Sequence, residues 1–311
     1  MTQQLLSWIA SVPDNAVFNF GQNACYRIEG TLEFRGRKGL AFEGNGSTFR
    51  SFNAPADQRA IWRVVGSTGI TFHNMTIDGS YAAGGTFNAS LQHAHAIDLR
   101  GTNATVANVN MSDVAGDCVY LGLGYDGVTR SSGSVHDSTC VRTGRNAVSV
   151  TAGDNILVQH VTTGAIGFTA FDVEPNTLSG FGSKGVTFDS NTIGSYYLYA
   201  YAIVSNAPIS NQTFSNNTVT GRGLRIGVVN PSSTTLRPQG VTITGNSSNT
   251  SQWSPAMEFH NVDTLSVTGN TVPIGGGALA TVESSCYVNV SGNSIPGGTQ
   301  QDTITNSPTT C

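Results

Sequence analysis

The chain is short of charge. Only 11% of its 311 residues are Asp, Glu, Lys or Arg, against about 25% in an ordinary globular domain. Lysine occurs twice, as Lys38 and Lys184, and nowhere do Lys and Arg cluster as counterion release from nucleic acid requires. Nucleic acid and anionic membrane surfaces are therefore not expected partners. Long apolar runs are missing as well. The longest, Tyr196 to Val204, has about half the roughly 20 residues of a membrane-spanning helix. The opening residues, MTQQLLSWIASVPD, have no basic segment ahead of an apolar one, so no secretory leader is legible there. Among five cysteines neither CxxC nor a Cys/His metal spacing occurs. Cys286 and Cys311 are candidates to clamp the C-terminal tail as a disulfide, and an odd cysteine remains whatever pairs.

What is present is glycine, 37 residues of it, with abundant Ser, Thr and Asn. That composition excludes a helical bundle, a coiled coil and a charge-driven disordered tail. A short strand motif recurs, two apolar residues flanking a variable one. It reads Trp62-Arg63-Val64, Ile97-Asp98-Leu99, Val119-Tyr120-Leu121, Val148-Ser149-Val150 and Phe171-Asp172-Val173. Further copies are Ile203-Val204-Ser205, Ile226-Gly227-Val228, Met257-Glu258-Phe259 and Leu279-Ala280-Thr281. Between them lies a second strand ending in Asn/Gly turns, as in GVTFDSNTIGS and DTLSVTGNTV. Alternation of period two argues strand, and Asn and Gly tolerate the left-handed turns between strands. A unit this small buries its apolar face only by stacking on its neighbours. The expected fold is all-β, a single-domain right-handed parallel β-helix of roughly ten coils over residues 13–298. A short capping helix is expected over residues 1–12 and an irregular tail over 299–311. Stacked amides explain Asn191, Asn217 and Asn270 without function.

The order HAIDLRG, AGDCVYLG, GRNAVSV, FDVEPN resembles the right-handed β-helix proteins of the pectate-lyase-like superfamily, especially secreted actinobacterial and phage tail-associated members. The resemblance runs from about Pro13 to Gly298. It implies a polysaccharide or oligosaccharide partner, an extracellular or virion-tail location, and a monomer or homotrimer. The superfamily holds lyases, hydrolases, epimerases and non-catalytic binders, so activity must be argued from the site. The NTD, DD, GHG and RIK motifs of polygalacturonases are not reproduced beyond a lone Gly116-Asp117. The aspartate-rich calcium site and RxPxxR of pectate lyases and the DPHE of mannuronan epimerases are also missing.

Stacking places the middle residue of each motif outward, in columns about 4.8 Å per coil. One column reads Arg63, Asp98, Tyr120, Ser149, Asp172, Val204, Gly227, Glu258, Ala280; its neighbour includes Arg100, Thr151, Glu174 and His260. Loops inserted at 78–95, 122–133, 174–184 and 229–240 are expected to wall a groove. Asp172 and Glu174, two apart on a strand, suit acid–base catalysis of glycoside hydrolysis. Asp98 and Asp117 are the assisting candidates, each with a salt bridge or turn as the plainer role. His95, Arg100, Tyr120, Ser149, Arg63 and His93 are the expected substrate contacts. Arg142 and Arg145 bracket the same face, by default as salt-bridge partners. His93 and His95 spaced as a pair are weak evidence for a metal. No cofactor is expected, calcium being the alternative left open. A lyase or epimerase with a His95 or Tyr120 base and Arg100, and a binding module without turnover, are the other readings.

Overall fold

A computed structural model describes residues 1–175, 182–204, 207–229, 236–250, 252–273, 278–297 and 301–305. The coil is built as the alternation demands. Eleven strands, one per coil, stack in parallel and in sequence order: Leu32–Arg35, Trp62–Val65, Ile97–Arg100, Val119–Gly122, Val148–Val150, Phe171–Val173, Tyr201–Val204, Ile226–Val229, Met257–His260, Ala278–Glu283 and Gln301–Thr305. A second parallel sheet of seventeen strands closes the other side of each turn. The result is a parallel β-helix. Gln301–Thr305 pairs with Ala278–Glu283, so the expected irregular tail contributes a strand to the sheet. The Cys286–Cys311 expectation lies outside the described residues, because Cys311 does.

Inward residues of consecutive coils lie directly above one another. On the second sheet one such column runs Phe42, Phe72, Val106, Val135, Val158, Phe188, Phe214, Ile243 and Val267, all buried in one continuous core. Like residues stack without register conflict, as the Phe42 and Phe72 rings do at 5.2 Å. The corner inside that sheet repeats a left-handed residue coil after coil: Asn74, Asn108, Asp137, His160, Ser190, Asn216, Gly245, Gly269 and Gly292. At this corner non-glycine residues accept positive φ, mostly the short polar ones that tolerate it best. Directly after it stands an amide ladder. Asn191, Asn217, Asn246 and Asn270 each donate from Nδ2 to Oδ1 of the next member at 2.9 Å, ending on Asn293. Each also donates to a backbone carbonyl and accepts a backbone N–H, so the buried amides are satisfied.

The N-terminal helix, Thr2–Ser11, closes one end by burying Leu5 and Ile9 on the core, while Trp8 packs edge-on against Phe18 and Phe20. This shields strand edges that would otherwise template pairing. Among the described residues no helix is long and apolar enough to cross a membrane. A disulfide joins Cys118 and Cys140, 22 residues apart. Sequence spacing did not single out this pair, because the stack brings adjacent coils together irrespective of a cysteine motif.

Candidate functional site

The outward column holds its register through the first coils. Glu33, Arg63, Asp98, Tyr120, Ser149 and Asp172 are successive ladder partners. Above Asp172 the expected order fails. Its partner is Ala202, not Val204, followed by Gly227 and Glu258, and the partner of Glu258 is Thr281, not Ala280. The strand Tyr201–Val204 lies within an unbroken apolar run, where alternation carries no information about which residues face in.

A strap over residues 79–95 covers the lower part of the column. Its Tyr81 and Ala94 pack on Ala115 in a small apolar cluster, and Phe87 reaches Phe168 with ring centroids 4.9 Å apart. Several outward residues of these coils have little or no contact with solvent. Asp98, Asp117, Ser149 and His95 are buried. Asp98 is gripped by Nε of Arg63 at 2.7 Å and Nε of Arg100 at 2.6 Å. Its carboxylate is shared between the two guanidiniums and is buried. Asp117 accepts from Nη1 of Arg145 at 2.9 Å and from the Asn146 amide at 3.0 Å; it too anchors a neighbouring coil and meets no solvent.

Arg145 organises the centre. Besides Asp117, it donates from Nη2 to Glu174 Oε2 at 2.7 Å, and the same nitrogen is 3.9 Å from Asp172 Oδ2. Burial works against its charge, yet Asp117, Asp172 and Glu174 around it hold its pKa above the usual arginine value. Asp172 is 3% exposed, and burial, reinforced by the negative charge of Glu174, pushes its carboxyl up to about 8 against the opposing pull of Arg145. The Asn146 amide donates to both Ser149 Oγ, at 2.9 Å, and Asp172 Oδ2, at 3.1 Å. Ser149 is buried in this polar network and does not line the pocket beside it.

Beside this network opens a pocket of about 210 Å³, lined by Gln92, His93, Tyr120, Arg145, Thr151, Glu174 and Pro175. Glu174 presents its side chain there, 42% exposed. Thr151 donates to the Tyr120 hydroxyl at 2.7 Å, and burial raises the Tyr120 pKa. Asp172 lies beneath the pocket and not on its wall. Of the expected substrate contacts, Tyr120 and His93 reach the pocket. Arg63 and Arg100 do not line it, being committed to Asp98, and Arg100 also lies 4.4 Å over the Tyr120 ring. His95 is buried and stacked on Tyr120 at 4.7 Å, and burial lowers its pKa to about 3. His93 pairs with Asp57 at 2.9 Å, so the two histidines do not converge on a common point. Among the described residues no group of three or more His, Cys, Asp and Glu is placed to hold a metal.

Gln92 and Asn146 were missed by sequence reasoning, and Arg145 was read only as a default salt bridge. The signal for Arg145 was present: one coil separates it from Gly116-Asp117, and its amide bonds the Gly116 carbonyl. No local pattern marks Gln92, which the strap delivers from outside the repeat. The sequence-predicted insertions at 174–184 and 229–240 fall largely on residues outside the described set.

No family model matches the chain, and no curated protein matches it by sequence. Solved structures do. The Streptococcus pneumoniae surface protein and adhesin PfbA superposes with a TM-score of 0.60 at 14% identity, over 94% of this chain and 91% of that one. The Dettilon tailspike protein gives 0.55 at 14% identity over 90% of this chain, which spans 60% of the tailspike chain. The endo-xylogalacturonan hydrolase of Aspergillus tubingensis gives 0.52 at 10% identity, over 99% and 89%. At such identities the likeness establishes the fold alone: the chain is a parallel β-helix.

Proposed function

We propose that the chain binds a polysaccharide along the outer face of the eleven-stranded sheet and hydrolyses a glycosidic bond, with Asp172 as proton donor and Glu174 as base. The observation that carries this reading is the unequal setting of two adjacent carboxyls. Asp172, buried and raised to about 8, holds a proton at neutral pH, while Glu174 stands half-exposed on the pocket wall. A buried carboxyl that keeps its proton beside a solvent-facing one suits the acid and base roles. Both approach one nitrogen of Arg145, which caps the separation of their nearest oxygens at roughly 6.6 Å, the short end of the about 6.5–9.5 Å that leaves room for an attacking water. Asp172 delivers its proton to the leaving oxygen through one intervening water, a reach general acids use. Glu174 takes the proton of the attacking water, and Arg145 holds both carboxyls in place.

The likeness to a surface adhesin, a tailspike and a polysaccharide hydrolase supports a carbohydrate partner and an extracellular or virion setting. The Cys118–Cys140 disulfide supports an oxidising compartment. A lyase reading is weakened, because burial makes the Tyr120 phenol harder to deprotonate and removes His95 from reach. Glycan binding without turnover is the second reading. It is favoured by the tight Arg145–Glu174 ion pair, which leaves one Glu174 oxygen to act as a base.

Reducing-sugar release from a polysaccharide panel tests the proposal. Asp172→Asn and Glu174→Gln are each expected to lower kcat by about 10²-fold or more with substrate binding retained. Turnover unchanged in both variants overturns the assignment. Binding without any turnover by the wild type leaves the second reading.

A further inference from the structure

We infer that the sugar ring seated in the Glu174 pocket is electrically neutral, bearing hydroxyls and neither a carboxylate nor a sulfate. The inference rests on the proposed reading for its location of the reacting sugar and goes beyond it in naming the substrate class.

Recognition of an anionic ring needs a cation with donors left free to face it, most effectively a guanidinium fork. The pocket has one arginine, and each of its terminal nitrogens is bonded to a carboxylate, one N–H of Nη2 remaining unengaged. Arg145 Nη1 meets Asp117 at 2.9 Å and Ser149 at 3.5 Å; Nη2 meets Glu174 at 2.7 Å. The next arginines along the face, Arg63 and Arg100, both bond Asp98 through Nε and do not line the pocket. Its histidine, His93, is turned to Asp57. Arg145 and Glu174 offset each other as an ion pair, so the wall offers an incoming carboxylate no net positive charge. Neutral groups remain: the Gln92 amide, the Thr151 and Tyr120 hydroxyls, and Glu174 as an acceptor. These suit sugar hydroxyls, and about 210 Å³ accommodates one ring.

Lysine and arginine without an acidic partner do occur elsewhere. Arg130 and Lys184 line a separate cavity of about 370 Å³, with no ion pair to either among the described residues. Long acidic polymers are poor probes for this reason. Short ones, whose position a crystal soak reports, are suitable.

The test titrates wild-type protein calorimetrically with xylobiose, cellobiose and digalacturonate, and locates each by soaking. A neutral disaccharide is expected in the pocket, with digalacturonate at least about tenfold weaker there at low salt. Glu174→Gln should narrow that gap by strengthening digalacturonate. Digalacturonate bound in the pocket as tightly as the neutral sugars overturns the inference. So does a gap unchanged by Glu174→Gln, or the failure of both neutral disaccharides to enter the pocket. Loss of the hydrolase reading looks different: the same binding order with no turnover of any substrate.

Discussion

The backbone amide of Asp117 donates to Nδ1 of His95 at 3.0 Å. An accepting Nδ1 places the ring proton on Nε2 and makes the imidazole neutral. Burial agrees, lowering the pKa from 6.5 to about 3 against the pull of Asp117. The ring carbon resonances of His95 are therefore expected to stay constant as pH falls from 7 toward 4, read by heteronuclear NMR. A His95 transition near its ordinary value of about 6.5 would contradict this hydrogen bond.

Asp172 and His95 bend the stability curve in opposite directions. The Asp172 carboxyl is raised from 3.8 to about 8, so the folded state binds the extra proton between those values. Its contribution is complete below about 3.8 and is lost as pH rises to 8. His95 is lowered, so the unfolded state binds the extra proton between about 3 and 6.5, and that contribution falls as pH drops. The two nearly cancel between about 4 and 6.5. From 6.5 to 8 Asp172 acts alone, with a slope of ~1.4 kcal/mol per pH unit. Urea unfolding at pH 6.5 and 8 is expected to show lower stability at pH 8, with the difference largely abolished in Asp172→Asn.

Removal of Asp98 leaves Arg63 and Arg100 facing each other over a buried gap. Breaking a buried ion pair from one side costs about 3–5 kcal/mol. Asp98→Ala is expected to lose that much stability by chemical unfolding while the folded fraction retains turnover. A large loss of kcat at temperatures where the variant is fully folded would restore Asp98 to the reacting groups.

The amide ladder makes a separate prediction far from the pocket. Asn217 donates to Asn246 and to the Phe188 carbonyl, and accepts from Asn191. Asn217→Asp keeps the shape but deletes both donors, and Asn217→Ala strands its neighbours. Unsatisfied buried groups cost about 1–3 kcal/mol each. Both variants are expected to shift the urea midpoint downward, with substrate affinity unchanged.

The coil and its stacking were legible without coordinates. A repeat of apolar pairs with Asn/Gly corners has one efficient way to hide its apolar face, and a column such as Arg63, Asp98, Tyr120, Ser149, Asp172 follows from alternation alone. Legibility stopped where alternation stopped. In Tyr196–Val204 every residue is apolar, and the expected register slipped by two.

Solvent access was decided by tertiary structure alone. Asp98, Ser149 and Glu174 all point outward by the same rule of period two, yet Asp98 and Ser149 are sealed and Glu174 is half-exposed. The difference comes from neighbouring coils: Arg63 and Arg100 close over Asp98, and Arg145 and Asn146 over Ser149. Arg145 likewise acquires its role from where three carboxylates arrive around it: Asp172 on a strand, Glu174 just past its end, and Asp117 from the coil below. Repetition dictates which way a side chain points, because backbone geometry is local; what covers it, and which charges surround it, depends on segments whose path the repeat does not encode.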